Sequence, residues 1–360
     1  MVKEIIFHLG DCKTGTTSIQ SVLAARAWDS QVGDIVYPAR VNHIPLAKTL
    51  AQPREMPKQD KQFTKVRKAF DDSDAAFGVI SAEHFEFVDP QLVKTAIAQH
   101  LPDYADRIRL IAYVRPHGER LLSTFAERSK KGLFLRPLGA LHDKLLRNRL
   151  LFYAPRFEKW RALFGDQFSL RPFVRDQLYK GDVVEDFFCY LFGSENFAIT
   201  RDGGRNQSLT VEDIAMMRHI HGHLSDLSGN KLQHLQQALG WYMADLLGTV
   251  PYPGGGTKPQ LHKALAGRVV KAYREDAIAL DQMFFDGSPM QDALEAIPDR
   301  ALGKAQSFLA KTHFDAPALR QFEVWARFLH RMMVADPAHF AWAVRRPEQR
   351  SKKPPNPGDQ

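Results

Sequence analysis

The chain has 360 residues, 44% of them hydrophobic and 25% charged, enough to bury a large core in one or two domains. Lysine plus arginine exceed aspartate plus glutamate by 49 − 41 = 8, which suits an anionic ligand, yet no basic run interleaved with aromatics forms a nucleic-acid module. Two cysteines, Cys12 and Cys189, exclude a disulfide framework, no apolar window approaches a membrane span, and no signal-like segment precedes the first strand, so the expectation is a soluble, cytoplasmic protein.

In chain order, Ile5-Ile6-Phe7 predicts a buried strand, followed by a Gly- and Thr-rich turn and a helix. Ile19, Val22 and Leu23 mark that helix's inner face, with Thr16 or Thr17 as its expected cap. Ile35-Val36-Tyr37 reads as a short strand closed by Pro38, Phe77–Ala82 as a second buried strand, Ile108–Val114 as a third and Phe168–Phe173 as a fourth. A helix is expected from His117 to Lys131, with Pro116 where a helix needs no N–H, and another after Gly181-Asp182, carrying Val184, Phe187, Phe188 and Leu191. Strands separated by helices predict an α/β fold: a P-loop-like central parallel sheet flanked by helices, with a largely helical C-terminal half. There, Thr210–His221, Lys231–Leu247, Gln260–Met283 and Pro317–Met333 carry helical periodicity. The expected organisation is a nucleotide-binding α/β core over 1–200, a mainly helical region over 201–344 that shares in the acceptor site, and a Pro- and charge-rich tail over 345–360 that predicts disorder.

The turn after the first strand is the most informative segment. His8-Leu9-Gly10-Asp11-Cys12-Lys13-Thr14-Gly15-Thr16-Thr17-Ser18 follows a strand and opens a helix, the setting in which backbone N–H groups and the helix dipole hold a phosphate. Gly10 and Gly15 have the spacing of the nucleoside-triphosphatase loop, but Thr16 stands where that loop has its lysine, and Lys13 lies inside the turn instead. About a hundred residues on, a buried strand ends in Arg115, and Ser123 follows eight residues later, about two helical turns along. Arginine presents a rigid two-pronged donor that matches phosphate.

Lys13-Thr14-Gly15-Thr16-Thr17 together with Arg115 and Ser123 resembles the sulfotransferases that use 3′-phosphoadenosine-5′-phosphosulfate (PAPS), in particular bacterial, glycan-directed members. The resemblance implies a 5′-phosphosulfate loop at Lys13, Thr14, Gly15, Thr16, Thr17 and Ser18, and a 3′-phosphate site at Arg115 and Ser123. It further implies sulfuryl transfer to an acceptor hydroxyl or amine, PAPS as donor co-substrate, no metal, and an acceptor that is a glycan. Lys13 would neutralise the charge that grows on the oxygen between phosphate and sulfur, in a loose transition state served by positioning and electrostatics. Asp11-Cys12 departs from the family, which often has proline before the lysine; a carboxylate there is unfavourable for an anion unless it pairs with an arginine.

The acceptor must lose a proton, and Ser81-Ala82-Glu83 resembles the strand end whose glutamate does this in glycan-directed members. Strand alternation would send Glu83 to the side of Ser81 and Val79, and His84, the second candidate base, to the other. His8 at the mouth of the turn reads better as a satisfied strand-end histidine. Arg205-Asn206-Gln207-Ser208, resembling a short feature of bacterial members, and Gly254-Gly255-Gly256-Thr257-Lys258, a lid with Lys258 on phosphate, are further donor-binding candidates. His219, His221 and His223 read as a solvated helix face rather than a metal site. Two other classes stay open. A P-loop kinase or nucleotidase is disfavoured by the displaced lysine and by Arg115 where an aspartate would hold magnesium. A non-catalytic nucleotide-binding protein on the same fold is disfavoured by Lys13 beside a candidate base.

Overall fold

The computed structural model describes residues 1–200, 208–229 and 231–345; Arg205 and the tail beyond Arg345 lie outside the described residues. Seven strands form among these: β1 (Glu4–His8), β2 (Trp28–Ser30), β3 (Ile35–Val36), β4 (Phe77–Ser81), β5 (Ile108–Val114), β6 (Phe168–Pro172) and β7 (Phe197–Ile199). Five make one parallel sheet in the order β3-β4-β1-β5-β6, while β2 and β7 pair antiparallel in a ribbon of their own. Register sets His8 beside both Ser81 and Ile111, so β1 and β4 end level while β5 runs three residues further to Val114. β5 is apolar along nearly its whole length because a strand in a parallel sheet covered on both faces has no wet side.

The helices in chain order are α1 (Thr16–Ala25), α2 (Ile44–Ala51), α3 (Gln59–Asp71), α4 (Pro90–His100), α5 (His117–Lys130), α6 (Leu138–Arg147), α7 (Ala154–Phe164) and α8 (Val183–Phe192). They continue with α9 (Val211–Ser228), α10 (Gln233–Thr249), α11 (Lys263–Phe284), α12 (Pro289–Glu295), α13 (Ile297–Arg300), α14 (Ala316–Ala335) and α15 (Pro337–Ala343). Beyond Ile199 the described residues form no strand, only an isolated bridge between His262 and Leu302. No helix among the described residues is long and apolar enough to cross a membrane.

The described residues divide into two compact units, one within 1–117, 150–200 and 271–296, the other within 118–149, 208–270 and 297–345. In the first, α1 and α8 cover the sheet: Ile19, Val22 and Leu23 meet Ile6, Val79, Ile111, Val184, Phe187 and Phe188 in one buried cluster. α8 begins where expected because the Asp182 carboxylate accepts the amides of Val184 and Glu185. In the second, Ile220, Leu224, Leu235, Leu239, Ala326 and Met333 form the core around α9, α10 and α14. The N-terminus of α9 is closed by a reciprocal pair, Thr210 to the Asp213 amide and Asp213 back to the Thr210 amide. At α1 the expected threonine cap is absent; Gly15 occupies the capping position and no described side chain caps the helix.

Candidate functional site

Because β1, β4 and β5 run parallel, the turns after His8, Ser81 and Val114 leave the sheet at one edge, where open α/β sheets take their ligands. The turn after β1 is bent by three left-handed residues, Gly10 (φ +65°), Lys13 (φ +71°) and Gly15 (φ +80°). Glycine is required at Gly10, where a Cβ would stand 2.8 Å from the Glu83 Cα, and at Gly15, where it would meet Val183 at 2.5 Å. Inside the turn the Thr14 hydroxyl donates to the Asp11 carbonyl at 2.6 Å, and the Thr16 hydroxyl approaches the same oxygen at 3.5 Å. Thr14 and Thr16 are buried and brace the bend, Ser18 is half-buried, and Thr17 is exposed on the first turn of α1. The amides of Ser18 and Ile19 turn back to the Gly15 carbonyl.

The structure brings Arg115 to this turn. Its guanidinium donates to the Lys13 carbonyl at 3.0 Å and lies over the Phe173 ring at 5.3 Å. Phe173 continues from β6, its amide bonded to the Val114 carbonyl, and its ring edge also flanks Gly15. Asp11 is buried and held in a two-pronged pair with Arg156 of α7, at 2.8 and 3.1 Å. Burial works against charge on Arg156, but Asp11 and then Glu86 more than offset it and hold the guanidinium's pKa above its ordinary value. Glu86 also accepts the Cys12 amide at 3.0 Å, so the turn is fastened from α7 and from the segment after β4.

Glu83 stands against Gly10, and its carboxylate accepts from the Gln20 amide of α1 at 3.4 Å. β4 gives way to a tight single-turn helix over Glu83–Phe87, so strand alternation does not govern where Glu83 and His84 point. His84 is half-buried, edge-on to Phe87. Behind Glu83 lies a polar cluster that sequence reasoning missed. Gln20 donates to the Ser81 hydroxyl at 3.1 Å, and that hydroxyl meets His8 Nδ1 at 2.8 Å. The Ser81 amide donates to His43 Nδ1 at 3.1 Å. Burial lowers both His8 and His43 to about 3, so each is a neutral structural imidazole. Tyr37 borders the group; burial and then the Glu83 charge raise its pKa.

Ser123 on α5 and Lys258 belong to the second unit. Ser123 is half-buried. Lys258 is exposed, and the segment before it is tied down: Glu212 accepts both the Thr257 amide (2.9 Å) and hydroxyl (2.7 Å). Burial of Glu212 opposes ionisation, but these bonds outweigh it and keep its carboxyl below the usual range. The expected solvated histidine face is not one. His221 is buried, donates to the Lys130 carbonyl at 2.8 Å and is lowered to about 4 by burial, while His219 and His223 pair with each other at 3.3 Å. No cluster of three His, Cys, Asp or Glu fit for a metal ion occurs among the described residues.

Comparison with models of known protein families and with curated proteins yields no match in either. The site therefore rests on its own geometry: one strained turn, one lysine, one arginine and one glutamate, supplied by three adjacent strand ends.

Proposed function

We propose that the chain is a PAPS-dependent sulfotransferase acting on a hydroxyl or amine acceptor, with glycans as the acceptor class. The observation that carries the reading is the bond from Arg115 to the Lys13 carbonyl, which brings the strand-end arginine to the family-like turn, with Glu83 against the same turn. In this reading the turn is a P-loop-like phosphate cradle. The amides that open α1 meet the 5′-phosphate, where the helix dipole favours an anion. Arg115, backed by Phe173, takes the 3′-phosphate.

The acceptor oxygen forms a bond to sulfur as the sulfur–oxygen bond to phosphate breaks. The electron pair of that bond stays on the phosphate oxygen, next to the Lys13 ammonium, and the acceptor proton passes to the Glu83 carboxylate. Adenosine 3′,5′-bisphosphate and the sulfated acceptor leave. Asp11, neutralised by Arg156, shapes the turn without opposing the donor's charge. Two cysteines, neither in a disulfide, fit a reducing cytoplasmic setting.

The test is a thermal-shift comparison. Adenosine 3′,5′-bisphosphate should raise Tm, and ATP with magnesium should raise it less. The reverse preference would return the chain to the kinases and nucleotidases. Bisphosphate binding without turnover of PAPS on any glycan, lipid or phenol acceptor would make it a non-catalytic nucleotide-binding protein.

A further inference from the structure

At the same sheet edge, residues 37–43 leave the carboxyl end of β3 and are sewn to the end of β4. The His43 amide donates to the Ser81 carbonyl at 2.8 Å, its Nδ1 accepts the Ser81 amide at 3.1 Å, and the Tyr37 hydroxyl donates to the Val41 carbonyl at 2.9 Å. Beside this segment, against α3, lies a cleft of about 310 Å³, lined by Arg40, Asn42, His43, Gln62 and Lys65 over an apolar floor that includes Leu46. That volume sits at the lower end of pockets that hold small ligands, roughly 300–1,000 Å³.

The chemistry of the lining is one-sided. Arg40 and Lys65 bring a positive charge each, Asn42 and Gln62 bring amide donors, and no carboxylate is among the lining residues. Arg40 and Lys65 are exposed, while His43 is locked neutral in the wall. The cleft also lies close to the chemistry. His43 is bonded to Ser81, and Glu83 is two residues further on, at most about 7 Å of extended chain.

We infer that this cleft is an acceptor subsite for an anionic group, a carboxylate or a sulfate ester carried next to the hydroxyl that Glu83 deprotonates; the acceptor role rests on the sulfotransferase reading. The acceptor is then an acidic glycan rather than a neutral one. Arg40 and Lys65 fix which hydroxyl reaches Glu83, as charged donors at one end of a substrate fix the position of the other.

Binding is measured by calorimetric titration of the full-length protein with three saccharides. One carries carboxylates (a hyaluronan tetrasaccharide), one carries sulfate esters without carboxylates (a carrageenan oligosaccharide), and one is neutral (maltotetraose). At least one acidic saccharide should bind about tenfold or more tighter than the neutral one, and the stronger arm tells carboxylate from sulfate. Lys65→Ala and Arg40→Ala should each weaken that binding about fivefold. Lys3→Ala, the same loss of charge at the far end of β1, should leave it unchanged. Equal or undetectable binding of all three saccharides overturns the inference, as does a loss in Lys3→Ala equal to that in Lys65→Ala. Titration with adenosine 3′,5′-bisphosphate is run separately on the same proteins. Absence of that binding overturns the donor assignment, and with it the acceptor role, whereas absence of saccharide discrimination overturns the cleft alone.

Discussion

Lys13 holds φ at +71°, a conformation that costs a non-glycine residue about 1 kcal/mol or more and persists only where surroundings enforce it. Here the enforcement is visible: Arg115 on its carbonyl, Thr14 on the Asp11 carbonyl, and Glu86 on the Cys12 amide. On the proposed reading, this lysine is placed for a charge that develops only during reaction. Lys13→Ala should therefore lower kcat by about 10²–10³-fold, the loss typical of a transition-state donor, while the Tm rise with adenosine 3′,5′-bisphosphate persists. Loss of the Tm rise along with kcat would make Lys13 a ground-state binder instead. Gly10→Ala probes the same bend from the packing side. Its new Cβ meets the Glu83 backbone at a positive φ, so a destabilisation of about 1–3 kcal/mol is expected in urea unfolding. The residue types and their spacing were legible in the sequence. Their conformations were not, because the groups that impose them come from residues 86, 115 and 156.

At the scale of elements, the end of β4 is where buried polar chemistry decides stability. His8 and His43 have pKa values of about 3 when folded, against 6.5 unfolded, so the unfolded chain binds more protons below pH 6.5. Their contribution is complete above about pH 6.5 and is lost as pH falls toward 3, about 3 kcal/mol for each imidazole by pH 4.5. Urea midpoints at pH 7.5 and 4.5 should differ less for His8→Asn than for the unaltered protein; an identical difference would remove His8 from the account. A second fastening lies at the start of α7, where Asp276 accepts the amides of Tyr153 and Ala154 and pairs with His117 at 3.0 Å. Asp276→Ala orphans three donors in a buried place and should cost about 3 kcal/mol in the same assay. The parallel strands were readable from their apolar runs, and α1, α8, α9, α10, α11 and α14 from helical periodicity, whereas α2, α3, α4, α6 and α7 were not singled out. The β2–β7 ribbon was not: Trp28–Ser30 is short, half-exposed and paired with residues some 170 positions away, which no local pattern can announce.

Over the whole molecule, the same contrast separates what composition tells from what only folding assembles. A net charge of +8 is a property of the sequence, yet the Asp11–Arg156 pair joins positions 145 apart, and the cleft between residues 37–43 and α3 exists only once β3 joins β4. On the proposed reading, net positive charge would steer the anionic donor from solution, and that long-range part is screened by salt, with a Debye length of about 10 Å at 0.1 M and 3 Å at 1 M. In the sulfotransferase reading, the contacts that Arg115 and the α1 amides would make with the donor at bonding distance are screened far less. Bisphosphate affinity should therefore fall several-fold between 0.05 and 0.5 M sodium chloride, mainly through a slower association rate, with dissociation nearly constant. Stopped-flow binding at the two salt concentrations reads both rates. If dissociation instead accelerates by the full factor, the anion is held by exposed surface charge, and the strained turn with its arginine is not where it sits.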